Sequence, residues 1–242
     1  CGQSDKPDDG YDIASMASDI QALIDALDLR DFDLAGHAIG AAISLDVALA
    51  RPDRVATLTL IDPPPLEGVV TPVEGLMLLE EMRINRELLT AGLAAMMPAF
   101  TASFLSSAEE AFFQQLVDDA AIQAPAAFTE LAVALASWNR LQEAKQLTLP
   151  TIVIWGDRDA LVERDSVNRT LLAIPGANNL EVLRGVGHAP MIEAPFRLVE
   201  RLLTFVLDDY ANYEEIRNQA EEAATLTPPV DLLPDESTGE KS

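Results

Sequence analysis

Cysteine is all but missing from this 242-residue chain: Cys1 stands alone, so no intrachain disulfide can staple the fold, and Cys1 is given no role. Histidine is nearly as scarce. The only two, His37 and His188, lie far apart in the sequence with no cysteine beside either, so no stretch has metal-ligand spacing, and neither a metal nor another cofactor is expected. Basic residues are outnumbered, 16 Lys and Arg against 40 Asp and Glu, and a formal charge of -24 repels polyanions, which excludes nucleic acid as an expected partner. Long apolar runs are lacking too. None reaches the roughly 20 residues that cross a bilayer, and no basic-then-apolar leader opens the sequence, so the expectation is a soluble, cytoplasmic protein without a membrane partner. Oligomeric state is left open.

What is present is an apolar fraction of 49%, enough for one substantial domain with an inserted subdomain. Ile13, Met16, Ile20, Leu23, Ile24 and Leu27 recur at helical spacing and predict an amphipathic helix between Tyr11 and Leu29. Residues 32–40 read as a buried strand turning sharply into a helix. They fit the Gly-x-Ser-x-Gly pattern of a nucleophile elbow, with Ala38 where the serine would stand. Gly36 and Gly40 are expected to permit the tight turn and a close approach of helix to strand. The small-residue helix then runs to Ala50, and Val55 to Ile61 predicts a buried parallel strand that ends at Asp62 and three prolines.

From Leu66 to Gln146 the pattern is wholly helical, with breaks near Pro98, Ser106 and Pro125, and reads as a cap. Strands follow at Thr151 to Trp155 and Leu180 to Leu183, with helices around Ser166 to Ala173 and Pro195 to Leu207. This alternation predicts an α/β fold with a parallel sheet. The expected organisation is a core over 1–65, a helical cap over 66–146, the rest of the core over 147–208, and an acidic extension over 209–242, disordered from about Thr225.

The elbow, then Trp155-Gly156-Asp157-Arg158-Asp159 after a strand, then Gly185-Val186-Gly187-His188-Ala189-Pro190 after the last strand, together resemble the α/β-hydrolase superfamily in content and order. Gly2-Gln3-Ser4-Asp5-Lys6-Pro7 is similar to the second half of that family's loop after its fourth strand. On this resemblance the first four strands are expected upstream or on a separate chain. With them would lie a loop that supplies one oxyanion N–H, and the elbow strand is expected to present a bare edge. The resemblance implies His188 as general base and acid, Asp159 as the acid that orients it, and the backbone N–H of Ile39 as an oxyanion donor. Asp157 is expected in a turn, and Asp62 is a less favoured alternative acid. His37 is expected to pack beside the turn and to border the substrate pocket. Met97, Phe100, Trp138 and Met191, with Met96 and Phe104, are candidates to line an apolar pocket over Ala38.

Alanine cannot attack a carbonyl, so three readings stand. One is a hydrolase of an ester, lactone, amide or carbamate bond in a small molecule that has lost its serine. Another, similar to the aminoacrylate or carbamate hydrolases of pyrimidine degradation, uses His188 and Asp159 to activate water. The third is a binding protein or scaffold on a hydrolase fold.

Overall fold

The computed structural model describes residues 4–101, 105–207, 215 and 218. Cys1, Phe104 and the tail from Thr225 lie outside them. Four parallel strands, β1 (Phe32–His37), β2 (Val55–Ile61), β3 (Thr151–Gly156) and β4 (Ala177–Leu183), hydrogen-bond in chain order, β1-β2-β3-β4. Consecutive order forces every crossover over a face of the sheet, and helices supply the crossovers. Among the described residues β1 is an edge strand.

Side-chain alternation sorts the layers. Leu58 and Leu60 of β2 face α2 (Ile39–Ala50), whose Ala41, Ala42, Leu45 and Ala48 carry little bulk and let the helix lie close. Val153 and Trp155 of β3 meet Val162 and Val167, the latter on α8 (Arg164–Ala173). On the opposite face Ile61, Ile152 and Ile154 pack against Leu198 of α10 (Pro195–Leu207). Both central strands are therefore buried on two sides, which explains their unbroken β-branched and leucine character. Helix α1 (Ile13–Ala26) starts at Asp12, whose carboxylate accepts the Ser15 N–H at 2.8 Å, and buries Ile13, Ala17 and Ile24.

Between β2 and β3 the chain leaves the sheet and forms α3 (Val73–Ile84), α4 (Arg86–Met96), α5 (Pro98–Thr101), α6 (Ser107–Ala121), α7 (Ala127–Ser137) and a short 3₁₀ turn at Glu143–Gln146. Ser106 and Glu109 form a reciprocal capping box at the start of α6. The sequence reading missed a break at Asn85, whose side chain accepts the Leu88 N–H at 3.1 Å and starts α4. Asparagine is a natural cap, but inside a long apolar-periodic run it is easily read as a surface position. The insert has its own apolar centre, Leu89, Met97, Phe113, Val117 and Phe128. Strand β4 begins three residues earlier than its apolar pattern suggests because Ala177 and Asn179 pair with Thr151 and Ile152 at the sheet edge, where polar residues are tolerated.

Trp138, just past α7, lies at the seam between insert and sheet. Its indole N–H donates to Asp46 of α2 at 3.0 Å, and Arg140 donates to the other oxygen of Asp46 at 2.8 Å. Trp138→Phe keeps the ring but orphans a buried carboxylate oxygen, and is expected to cost about 1–3 kcal/mol in urea denaturation. An unchanged midpoint would show that Arg140 alone satisfies Asp46.

Candidate active site

The carboxyl ends of the parallel strands converge on one rim of the sheet, and each contributes one element of the site. Strand β1 ends at His37 and Ala38. The Ala38 backbone has φ 51° and ψ -121°, a conformation a non-glycine residue holds only under constraint. The constraint is visible: the Ala38 N–H donates to Ile61 O at 2.9 Å, and α2 starts at the next residue. At Gly36 a Cβ would run into the carbonyl oxygen of Gly40 and into Ser44 Oγ, so glycine is required for the strand and helix to meet. Gly40, expected to share that duty, faces open space and does not. Ile39 opens α2, so its N–H is among those that have no acceptor within the helix and point off its end.

Strand β3 ends at Gly156, and the turn beyond it carries Asp159, whose side chain is fully enclosed. One oxygen accepts the N–H groups of Leu161 at 2.7 Å and Val162 at 3.1 Å, while the other meets His188 Nδ1 at 2.7 Å. The same carboxylate closes its own turn and orients the imidazole. Asp157 is a turn residue that accepts the Gly185 N–H. Gly156 sits under the His188 loop, and a Cβ there would enter the Gly187 and Val186 carbonyls. His188 follows β4, and its ring is 5% exposed. With Nδ1–H committed to Asp159, Nε2 is the nitrogen that carries a free lone pair.

His37 Nε2 donates to the backbone oxygen of His188 at 2.6 Å, and the two rings stand 4.9 Å apart between centroids. Burial and the neighbouring His188 both push the His37 pKa down, so it serves as a neutral hydrogen-bond donor.

Asp62, at the end of β2, is completely buried at a φ of 45°. Its Oδ1 accepts the Gly156 N–H at 2.9 Å, whereas Oδ2 has no hydrogen-bond partner among the described residues. Burial raises its pKa to about 7. Asp159, not Asp62, holds His188 Nδ1.

One ring nitrogen from each histidine and one Asp62 oxygen lie within 4.8 Å of one another, with His37 Nε2 and Asp62 Oδ2 4.0 Å apart. The fold thus assembles a two-histidine, one-carboxylate set that no local spacing revealed. A tetrahedral metal with bonds of about 2.1 Å holds its donors roughly 3.4 Å apart. The observed spacing is too long for a direct hydrogen bond and suits groups bridged by a water, and a metal ion would require the site to contract.

The apolar candidates divide. Met97 and Phe100 belong to the insert's apolar centre, which Ala189, next to His188, also joins. Met191 lies on α9 (Pro190–Glu193) and is 38% exposed. Trp138 is not brought to them, being held in the seam by Asp46. Phe104 falls outside the described residues. Glu193 was missed by sequence reasoning. Its Oε1 accepts the N–H groups of Gly187 at 2.8 Å and Ala189 at 3.3 Å, and its Oε2 accepts that of Ala99 at 2.7 Å. A carboxylate five residues after the histidine, in a helix too short for periodicity to reveal, left no sequence signal.

A family model described as "alpha/beta hydrolase fold" matches residues 1–195. Non-heme chloroperoxidase of Streptomyces lividans is 30% identical over 222 residues, covering 85% of this chain and 78% of that protein. A Klebsiella pneumoniae protein named carbamate hydrolase RutD is 29% identical over 201 residues, covering 74% of this chain and 67% of its own. The dihydrolipoyllysine-residue acetyltransferase component of the acetoin cleaving system of Pseudomonas putida is 28% identical over 213 residues, which is 85% of this chain but 53% of that protein. The chain therefore spans about half to two thirds of the length of some curated relatives. Among solved structures, bromoperoxidase from Bacillus anthracis superposes with a TM-score of 0.75 at 22% identity, covering 86% of this chain and 78% of that one. No helix among the described residues is long and apolar enough to cross a membrane.

Proposed function

The chain belongs to the α/β-hydrolase fold family, and from that premise we propose that it hydrolyses an ester, lactone, amide or carbamate bond in a small molecule by direct activation of water at His188. The 2.7 Å bond between His188 Nδ1 and the enclosed Asp159 carboxylate carries this reading, because it fixes the tautomer that a general base needs. Ala38 stands at the nucleophile position, so water replaces the serine hydroxyl. His188 Nε2 takes a proton from the water as its oxygen bonds to the carbonyl carbon. The oxyanion forms against the Ile39 N–H. His188 then returns the proton to the leaving group as the bond to it breaks, and Asp159 stabilises the imidazolium between the two transfers. The helical insert acts as the cap, with Met97, Phe100 and Met191 on the substrate side. The similarity to a protein named carbamate hydrolase supports a carbamate among the substrates to be tried.

In the full polypeptide, assayed on short-chain aryl esters and carbamates, His188→Ala is expected to lower turnover on the order of 10²–10⁴-fold. Ala38 itself favours a second reading, a binding protein on the hydrolase fold. That reading predicts no turnover in either form and ligand affinity that survives His188→Ala.

A further inference from the structure

On its sheet side the segment that carries His188 is held by the buried Val186, which clusters with Ile61, Ile152 and Ile154, and by His37, which donates to the His188 carbonyl. Gly185 and Gly187, on either side of Val186, offer no side chains to hold it on the insert side. On that side Glu193 supplies the side-chain anchor. One carboxylate oxygen accepts the N–H of Gly187 and of Ala189, the residues immediately before and after His188, so both flanking peptides are tied to a single group. The other oxygen accepts the N–H of Ala99 in α5, which belongs to the insert. No Lys or Arg comes within 4.0 Å of Glu193 among the described residues, although Arg184 and Arg197 border the same cavity as it does, so its direct partners are backbone amides.

Two further contacts bind the same partners. The His188 N–H donates to Met96 O at 2.9 Å. At Gly187 a Cβ would strike Pro98 and the Met96 carbonyl, which shows how closely the loop lies on residues 96–98. Behind Glu193 a cavity of about 290 Å³, bordered by Ala99, Val186, Ala194 and Phe196, leaves the carboxylate without close packing on that side. Hydrogen bonds and the close fit of Gly187 and Ala189 on the insert together hold the junction.

We propose that Glu193 is the positioning residue for His188 and ties it to the insert, so that any displacement of residues 96–99 moves the imidazole with it. This rests on the reading of His188 as the base. Ligand entry under the insert and alignment of the base are then one motion: a substrate that reshapes the insert also sets the imidazole.

The test reads the His188 ring in long-range ¹H–¹⁵N spectra of the full polypeptide, its signals identified by their loss in His188→Gln. Val117, fully buried in the insert's apolar centre and remote from the histidine loop in sequence, supplies the perturbation through Val117→Ala. With Glu193 intact, Val117→Ala is expected to shift the His188 ring signals. With Glu193→Ala the shift is expected to fall at least severalfold, the remainder passing through the His188 N–H to Met96 bond and the packing of Ala189, while exchange of the Gly187, Ala189 and Ala99 amides accelerates at least about tenfold. Glu193→Gln keeps one carbonyl acceptor and should restore part of the coupling; it carries the comparison if the alanine variant does not fold. Turnover should fall on the order of 10²-fold in Glu193→Ala with KM nearly unchanged, as expected for misplacement of a base. If the His188 ring signals respond to Val117→Ala equally with and without Glu193, the proposal is overturned. Coupling without turnover in any form would support the positioning role and overturn the base assignment instead.

Discussion

Ala38→Ser is expected to raise the hydrolysis of short-chain aryl esters by on the order of 10³–10⁶-fold and to divide it into two steps. Loss of the nucleophile alone from a serine hydrolase costs about 10⁶ in turnover, and restoring one recovers as much of that as the surroundings allow. Here they are already shaped for it. Ala38 holds the strained φ of 51°, and its amide is bound to Ile61, so a hydroxyl added to its Cβ meets a backbone that need not change. His188 is oriented by Asp159, and the N–H of Ile39 is fixed at the head of α2. Stopped-flow measurement with a p-nitrophenyl ester should show a burst whose amplitude equals the enzyme concentration, because the acyl-enzyme forms faster than it breaks down. If the variant gives neither burst nor gain, Ala38 does not occupy a competent nucleophile position, and the resemblance at the elbow is one of backbone shape alone.

Asp62→Asn is expected to stabilise the protein at pH 8 and to leave it unchanged at pH 4. The native carboxyl has its pKa raised from 3.8 to about 7, mainly by burial. A raised folded-state pKa means that the folded protein binds the proton more tightly than the unfolded chain. The associated stability is complete below about pH 4 and is lost as the pH rises towards 7, with a full span on the order of 4 kcal/mol. Asparagine keeps the acceptor for Gly156 and mimics the protonated acid without titrating. Urea denaturation of both proteins across pH 4 to 8 should give curves that coincide at the acidic end and diverge steadily to about pH 7. Parallel curves would mean that the buried carboxyl titrates as it does in the unfolded chain, whereas divergence continuing undiminished to pH 8 would mean that it stays neutral throughout. A variant less stable at every pH would show that Oδ2 is needed as an acceptor, for a water bridging it to the histidines.

Much of this architecture can be read from the residues, for physical reasons that differ by element. Strand β2 and helix α10 match their sequence limits because one is an unbroken buried run closed by prolines and the other begins at a proline. The elbow is legible because Gly36 is dictated by the approach of Gly40 and Ser44, a steric demand that leaves a fixed spacing in the chain. Asp159 and His188 stand out for their glycine-flanked loops. Asp62 is legible only as a less favoured acid and Glu193 not at all, since their importance comes from what the fold places against them: an enclosed carboxyl with an idle oxygen, and three amides drawn from two distant segments. Trp138 misleads for the opposite reason. An aromatic residue in a helical insert suggests a pocket, but the carboxylate that claims its indole sits on α2 and is invisible until the chain is folded.

The insertion of residues 62–150 between two strands that pair directly has a bearing on how this chain acquires its structure. Strand β2 cannot meet β3 until that long intervening stretch has closed on itself, and such closure delays folding even though its entropic cost grows only slowly with length. The insert has an apolar centre drawn mostly from its own helices, contacts that are local in sequence and able to form early. Its collapse would bring the ends of the loop together, and the central pair of the sheet would then join. Unfolding of the insert should accordingly retard refolding of the sheet far more than it hastens its loss, placing the rate-limiting event in a region distant from the sheet whose assembly it governs.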